Sequence, residues 1–224
     1  MSGGPRPVWE EWRRQSLRDL MREGRDPRVI RAIANVPRER FVPASLQQRA
    51  YENVALPIAC GQSISQIAVV AMMTEALGVQ GGERVLEVGT GTGYQAAVLA
   101  ELGARVVTVE RHSKLAASAA SRLSGLGYAN VTVHTARPEV LGYPESGPYQ
   151  AIIVTAAASS VPNELVHQLQ PRSRLVLPVQ DGNEQEIQLV MREESGAITR
   201  RVIGRSRFVP LIVEGTRGSG LSVV

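Results

Sequence analysis

The 224-residue chain is poor in the residue types that build disulfides and metal sites. It has one cysteine, Cys60, and three histidines that lie far apart: His112, His134 and His167. A single cysteine excludes an intrachain disulfide framework and disfavours a zinc site with cysteine ligands. The histidines show no ligand spacing, so we expect no bound metal. Cys60 has no activating partner near it in the sequence, and we interpret it as a small buried residue rather than a nucleophile.

Long apolar segments are also absent. No run of 18 apolar residues occurs, and residues 1–7 lack the apolar centre of a signal peptide, so we expect a cytoplasmic protein without a membrane partner. Hydrophobic residues make up 43% of the chain and charged residues 21%. This composition is typical of a globular protein with a substantial core, which excludes a disordered or fibrous chain.

Lysine is nearly absent, and the basic charge is carried by arginine. Lys114 is the one lysine among 25 basic residues. Residues 1–50 hold 11 arginines against six acids, whereas the remainder holds 14 basic residues against 15 acids. Because no aromatic residues interleave these arginines as base stacking would require, we interpret them as solvated helix faces and expect no nucleic-acid partner.

Hydrophobic spacing predicts helices in the N-terminal third. Residues 8–36 show the periodicity of two amphipathic helices, and the second opens at Asp26-Pro27, a capping residue followed by a first-turn proline. A short helix is predicted near 44–51. A longer helix is predicted from Ser65 to about Leu77, capped by Ser65 and ended by Gly78.

Beyond residue 83, strands alternate with helices. The predicted strands are 84–88, 105–110, 131–134, 151–154, 174–179, 186–191, 198–203 and 208–213, with helices after the first glycine loop and over 113–125 and 162–169. Such alternation indicates βαβ units and a mostly parallel, doubly wound α/β sheet. The last strands follow one another without helices, so we expect them to add to the sheet edge as antiparallel hairpin strands.

A glycine loop follows the first strand of this series. The segment Glu87-Val88-Gly89-Thr90-Gly91-Thr92-Gly93 joins a buried strand to a helix, which is the context of a nucleotide-binding loop. Its spacing differs from the dinucleotide pattern and lacks the residues of a phosphate-binding P-loop. A tight turn that binds nothing is the alternative, but three alternating glycines favour close approach of a ligand to the backbone.

Glu110 ends the next strand, where an acidic residue of an open α/β sheet accepts hydrogen bonds from a ribose diol. Alone, it could equally be a solvated carboxylate. Together with Glu87 and the glycine loop, it indicates an adenosyl ligand without a pyrophosphate.

Further segments narrow the family: Val36–Pro43, Ala50–Asn53, Leu56–Ile58, Gly61–Gln66, Glu87–Ala97, Val154–Ala158 and Arg207–Leu211. The sequence over residues 15–213 resembles the protein-L-isoaspartate O-methyltransferases, which are class I S-adenosylmethionine-dependent methyltransferases. The resemblance implies a seven-stranded Rossmann-like sheet with an antiparallel C-terminal hairpin. It also implies methyl transfer to the α-carboxylate of isoaspartyl residues in damaged proteins, which initiates their repair, by a monomer.

The resemblance assigns the site residue by residue. The catalytic serine falls on Ser65, and the cofactor residues fall on Glu87, Gly89, Thr90, Gly91, Gly93 and Glu110. We divide the chain into an N-terminal helical extension that covers the substrate (1–62), the methyltransferase domain (63–214) and a flexible tail (215–224).

The pattern breaks after the third strand of the series. Where the family has Gly-Asp-Gly, whose aspartate helps to hold the adenine amino group, this chain has Ala136-Arg137-Pro138. Arginine offers no acceptor, so a backbone carbonyl, Thr135 or Glu139 would have to replace the aspartate. Ile67 also stands where the family usually has proline.

These departures leave three alternatives open. The first is a methyltransferase of the same fold acting on another peptide carboxylate. The second is a catalytically silent protein-binding relative. A nicotinamide oxidoreductase is the third, which the glycine spacing disfavours.

Overall fold

The N-terminal elements follow the hydrophobic spacing of the sequence. The computed structural model describes residues 7–212. Its first elements are α1 (Val8–Arg22), α2 (Pro27–Asn35), a 3-10 helix (Ala44–Arg49), β1 (Leu56–Pro57), β2 (Ser63–Ile64) and α3 (Ile67–Leu77). Helix α2 begins as predicted, because the Asp26 carboxylate accepts a hydrogen bond from the Arg28 amide at 2.7 Å and Pro27 occupies the first turn.

Helix α3 begins two residues later than predicted. Gln66 occupies the N-cap position, makes no side-chain capping bond, and the helix starts at Ile67. Ser65 follows β2 directly, and the antiparallel pairing of Leu56 with Ile64 keeps the chain extended just before it. The predicted capping role of Ser65 is therefore wrong. The predicted end at Gly78 is confirmed, since this residue adopts the left-handed conformation with φ of 66°.

The short hairpin β1–β2 also corrects the interpretation of Cys60. This residue lies in the connection between the two strands, has a φ of 59° and is exposed rather than buried. The turn that joins β1 to β2 turns its side chain to solvent, and no periodic pattern in the sequence signals a hairpin with strands of two residues.

The remaining elements form the central sheet and its covering helices. They are β3 (Arg84–Val88), α4 (Tyr94–Glu101), β4 (Arg105–Glu110), α5 (Ser113–Gly125), β5 (Val131–Thr135), β6 (Tyr149–Val154), α6 (Asn163–His167), β7 (Leu169–Asp181), β8 (Glu184–Arg192) and β9 (Ile198–Arg205). Seven strands lie in the order β5-β4-β3-β6-β7-β8-β9. Strands β3 to β7 are parallel, and β8 and β9 are added antiparallel. The predicted seven-stranded fold is confirmed.

The direction of the strand order reverses between β3 and β6. From β3 the chain proceeds to β4 and β5 on one side, and it returns to β6 and β7 on the other. In open α/β sheets, ligands bind outside the carboxyl ends of the strands at such a switch point. The loop that follows β3 at Gly89 and the loop that follows β6 at Thr155 meet there, where the Thr155 hydroxyl donates to the Gly89 carbonyl at 2.6 Å.

The predicted strand 208–213 is wrong over its described part, which ends at residue 212. The segment makes one isolated bridge, in which the Ala157 amide donates to the Val209 carbonyl at 2.8 Å and the Leu211 amide donates to the Ala157 carbonyl at 2.7 Å. Pro210 lies between these two contacts and has no amide hydrogen, so a regular ladder does not form. The segment crosses the carboxyl end of β6 instead of extending the sheet edge.

The N-terminal elements and the sheet share one hydrophobic core. Leu20 of α1, Ile33 of α2 and Phe41 are buried in the same cluster as Met73 of α3 and Leu99 of α4. The predicted boundary at residue 62 lies within the β1–β2 connection. No helix among residues 7–212 is long and apolar enough to cross a membrane. The predicted tail, 215–224, lies outside the described residues.

Candidate functional site

Two adjoining hollows open at the carboxyl ends of β3, β4 and β6. The larger, called here the long cleft, is lined by Gln62, Ser63, Val88, Gly89, Gly91, Val109, Glu110, Arg111, Ala136, Arg137, Pro138, Val140, Leu141, Gly142, Thr155, Ala156, Val209, Pro210, Leu211 and Ile212. The smaller, called the serine pocket, is lined by Ser63, Ile64, Ser65, Val69, Val70, Met73, Glu87, Gly89, Thr90, Gly91, Thr92, Tyr94, Gln95, Thr155 and Phe208. They share Ser63, Gly89, Gly91 and Thr155, so they are two ends of one site.

The glycine loop forms the shared wall, and its three glycines differ in their structural roles. At Gly89, where φ is 100°, a Cβ atom would lie 2.3 Å from the Thr155 hydroxyl oxygen, so no larger residue fits. Gly91 lines both hollows, has a φ of 54°, and a Cβ atom there would lie 3.6 Å from Ile58, which is an ordinary contact distance. Gly93 lines neither, and a Cβ atom there would lie 2.9 Å from Leu123. Gly89 is therefore required by the contact with Thr155 and Gly93 by packing against α5, while only Gly89 and Gly91 line the site.

Glu110 is fixed at the floor of the long cleft. One carboxylate oxygen accepts the Gly91 amide at 2.8 Å, and the other accepts the His112 amide at 3.0 Å. The side chain is buried, yet it lines the cleft. A carboxylate oxygen has more than one lone pair, so both oxygens can accept further hydrogen bonds while the two amides hold them in place. The carboxylate is therefore oriented in advance for a ligand that offers two donors.

Glu87 is fully buried under the serine pocket. One of its oxygens accepts the Thr108 hydroxyl at 2.6 Å, and Thr108 in turn lies 2.6 Å from the Thr90 hydroxyl. The other oxygen, Oε1, has no hydrogen-bond partner. Burial raises the pKa of the Glu87 carboxyl to about 8, and the nearby charge of Glu110 adds to this effect while the Thr108 hydrogen bond opposes it. The structure thus holds one unpaired carboxyl oxygen beside the glycine loop.

Ser65 also lines the serine pocket and lies between β2 and α3 in the chain. Its carbonyl oxygen accepts a hydrogen bond from the Arg38 guanidinium at 2.7 Å. Arg38 is fully buried, also donates to the Ala50 carbonyl at 2.6 Å, and lies 4.6 Å from the centre of the Tyr94 ring. Tyr94 begins α4 and lines the same pocket. Arg38 therefore links the serine segment to the helix that follows the glycine loop.

The segment Ala136-Arg137-Pro138, which departs from the family pattern, lies along the long cleft. Ala136, Arg137 and Pro138 all line it, but Thr135 and Glu139 do not. Arg137 is exposed and forms an ion pair with Glu145. Neither of the two side chains considered above as replacements for the aspartate lies among the cleft residues.

Six of the seven predicted site residues line this site, with Gly93 behind it. Sequence reasoning missed Arg38, Tyr94 and Thr155 as parts of it, although all three lie within segments that carry the family resemblance. Among residues 7–212, no group of three or more histidine, cysteine, aspartate or glutamate side chains could hold a metal ion.

The comparisons with known proteins agree on one family. The sequence model of the protein-L-isoaspartate(D-aspartate) O-methyltransferases matches residues 12–216. Protein-L-isoaspartate O-methyltransferase 2 of Nitrosococcus oceani is 48% identical over 191 residues, which cover 85% of this chain and 86% of the relative. The protein-L-isoaspartate O-methyltransferase of Parvibaculum lavamentivorans is 46% identical over 206 residues, which cover 91% and 92%.

Solved structures show the same fold. A protein-L-isoaspartate O-methyltransferase matches with a TM-score of 0.79 at 28% identity, covering 89% of this chain and 65% of the other. A structure from Plasmodium falciparum, in complex with S-adenosyl-L-homocysteine, matches with a TM-score of 0.76 at 22% identity, covering 88% and 97%.

Proposed function

The chain belongs to the protein-L-isoaspartate(D-aspartate) O-methyltransferase family, and from this we propose that it methylates the α-carboxylate of isoaspartyl residues in damaged proteins. The methyl donor is S-adenosylmethionine. The observation that carries the proposal is the shared wall: the glycine loop lines both the long cleft and the pocket that contains Ser65. A cofactor that lies along the long cleft and reaches the glycine loop with its methionyl end would meet a peptide carboxylate bound in the serine pocket at that wall.

The long cleft fits this cofactor. Glu110 presents a buried, pre-oriented carboxylate that would accept hydrogen bonds from the ribose diol. Gly89 and Gly91 both line the cleft and have positive φ, so the glycine loop presents its backbone to a ligand there. The unpaired oxygen of Glu87 suits the amino group of the methionyl end, since a buried polar atom without a partner is costly. Thr90 would support Glu87 through Thr108. When bound, S-adenosylmethionine supplies a methyl group on a sulfonium, which is already activated for transfer.

The chain's own residues then have to position and desolvate the substrate. A peptide α-carboxylate has a pKa of about 3.5, so it is ionised at neutral pH and needs no general base. Ser65 would donate its hydroxyl hydrogen to this carboxylate and hold it at the shared wall. Apolar neighbours such as Val69, Val70 and Met73 would limit water there. Alignment of the reacting atoms is the main task left to the protein.

The product explains the repair. A backbone amide nitrogen attacks the methyl ester carbonyl, methanol leaves, and a succinimide forms without the enzyme. Hydrolysis of the succinimide ring returns part of the damaged residue to normal aspartate.

We further propose that residues 1–62 cover the peptide in this site, because Gln62 lines the cleft and Arg38 contacts the serine segment. The proposal places the enzyme in the cytoplasm as a monomer whose partners are isoaspartyl-containing proteins. Neither nucleic acid nor a membrane is among them.

A binding measurement tests the substrate assignment without turnover. The enzyme is saturated with S-adenosylhomocysteine, and an isoaspartyl peptide is titrated calorimetrically against its normal-aspartate twin. We expect the isoaspartyl peptide to bind at least about tenfold more tightly, because only its α-carboxylate can reach Ser65. Tighter binding of the normal peptide would instead favour a methyltransferase for another carboxylate. Equal binding would contradict the assignment.

A further inference from the structure

The segment after β5 lines the long cleft but contributes nothing to the serine pocket, so it marks an end of the cleft away from Ser65. If Glu110 binds the ribose and the methionyl end faces the serine pocket, the purine base must occupy this end. Its lining there is apolar, with Val109, Ala136, Val140, Leu141 and Leu211. Such a surface covers both faces of a flat base but does not read its hydrogen-bonding edge.

Arg137 is the one polar side chain that residues 136–142 contribute to this lining. A guanidinium has five donors and no acceptor. The 6-amino group of adenine is a donor, whereas the 6-oxo group of hypoxanthine is an acceptor. The side chain at this edge therefore matches the second group and offers nothing to the first.

Two backbone carbonyls of this segment accept hydrogen bonds from groups of the protein itself. The Leu141 carbonyl accepts the Gln168 side-chain amide at 2.8 Å, and the Arg137 carbonyl accepts the Val140 amide at 3.4 Å. Gln168 also accepts the Tyr143 amide at 3.0 Å, so the turn is held by contacts within the protein. Each of these two carbonyls thus has one of its two lone pairs occupied, which limits the directions from which it could accept a purine amino group.

We infer that this chain does not discriminate between 6-amino and 6-oxo purines in its cofactor, and that Arg137 determines this tolerance. The inference rests on the proposed use of S-adenosylmethionine. A ligand whose adenine has been hydrolytically deaminated, the S-inosyl compound, would occupy the same cleft, with its 6-oxo group accepting a hydrogen bond from a guanidinium N–H of Arg137 other than the one that pairs with Glu145.

Calorimetric titration with S-adenosylhomocysteine and S-inosylhomocysteine tests this directly. We expect the two dissociation constants of the unaltered protein to differ by less than about tenfold. In Arg137→Asp, the carboxylate would accept a hydrogen bond from the 6-amino group and would repel the 6-oxo group. The preference for the adenosyl ligand should therefore exceed about tenfold. Arg111→Asp is the matched control, because it makes the same charge change in the cleft lining away from the base segment. It should alter both affinities by the same factor.

A preference of tenfold or more for either ligand in the unaltered protein would overturn the inference, and a preference for the adenosyl ligand would show that another group accepts a hydrogen bond from the 6-amino group. The same ratio in Arg137→Asp as in the unaltered protein would overturn the role of Arg137. Failure of both ligands to bind at millimolar concentration would instead contradict the proposed function itself.

Discussion

The buried guanidinium of Arg38 donates to the carbonyl oxygen of Ser65 across 2.7 Å. Arg38 begins a 3-10 turn at residues 38–40, and Ser65 lies between β2 and α3. A single side chain thus connects Ser65, the proposed substrate-binding residue, to a segment 27 positions earlier. Arg38 also packs over the Tyr94 ring, so it contacts two of the residues that line the serine pocket, Ser65 and Tyr94.

Replacing Arg38 should loosen this connection. Arg38→Met would leave the Ala50 and Ser65 carbonyls without their buried donor, and we expect the free energy of unfolding to fall by about 2–4 kcal/mol. Urea unfolding measures this. Arg38→Lys keeps one donor and the charge, so it should retain part of the stability and of kcat. If Arg38 had a purely structural role, Arg38→Met and Arg38→Lys would lose equal stability, and kcat of the folded fraction would be unchanged in both.

Replacing Ser65 by alanine should reduce turnover without destabilising the protein. Helix α3 starts at Ile67 and Ser65 does not cap it, so we expect the free energy of unfolding to change by less than about 0.5 kcal/mol. The affinity for S-adenosylhomocysteine should also be retained, while kcat/KM for an isoaspartyl peptide falls by about tenfold to a hundredfold. An equal loss of cofactor affinity and turnover would contradict the assignment of Ser65 to the substrate.

Glu110 should contribute to cofactor affinity through its two oriented oxygens. We expect Glu110→Ala to weaken S-adenosylhomocysteine binding by about 1–3 kcal/mol in calorimetry, which is the usual loss for hydrogen bonds to a charged group. Glu110→Gln keeps the shape and one acceptor, and should lose less. Binding that is unaffected in the alanine variant would refute the ribose role.

Glu87 predicts how stability depends on pH. Its pKa rises from 4.5 in the unfolded chain to about 8 in the folded protein, chiefly through burial. Below pH 4.5 the carboxyl is protonated in both states; as the pH rises toward 8, only the unfolded chain releases the proton. The favourable contribution is therefore present at low pH and is lost between these values.

We accordingly expect Glu87→Gln, which does not titrate, to gain stability relative to the unaltered protein as the pH rises. Between pH 5 and pH 8 the difference in free energy of unfolding should change by about 2–4 kcal/mol. Urea unfolding at several pH values provides the measurement. Parallel stability curves for the two proteins would show that Glu87 is not the titrating group.

The features that the sequence predicted well have strong local signals. Alternating apolar runs and helices revealed the parallel sheet, and the glycine loop after β3 located the site. Glu110 could be placed because the carboxyl ends of neighbouring parallel strands lie at one edge of the sheet. The strand, helix and loop signals each depend on a short window of sequence.

The features that it missed depend on distant contacts. The interpretation of the N-terminal arginines as solvated helix faces is wrong for Arg38, which is fully buried, and its contacts with Ala50, Ser65 and Tyr94 explain this burial. Likewise, Gly93 shares the loop pattern with Gly89 and Gly91, yet its size limit comes from Leu123 on α5. Neither contact has a signature in local sequence.

Methyl transfer to a matched pair of peptides is the direct test of the proposed isoaspartyl methyltransferase activity. The protein is incubated with S-adenosylmethionine carrying a labelled methyl group, together with either an isoaspartyl peptide or its normal-aspartate twin, and base-labile methyl ester is counted. We predict label in the isoaspartyl peptide, little in its twin, and a strong reduction in the Ser65→Ala variant. Label in the normal peptide alone, or in neither peptide while S-adenosylhomocysteine still binds, would contradict the account.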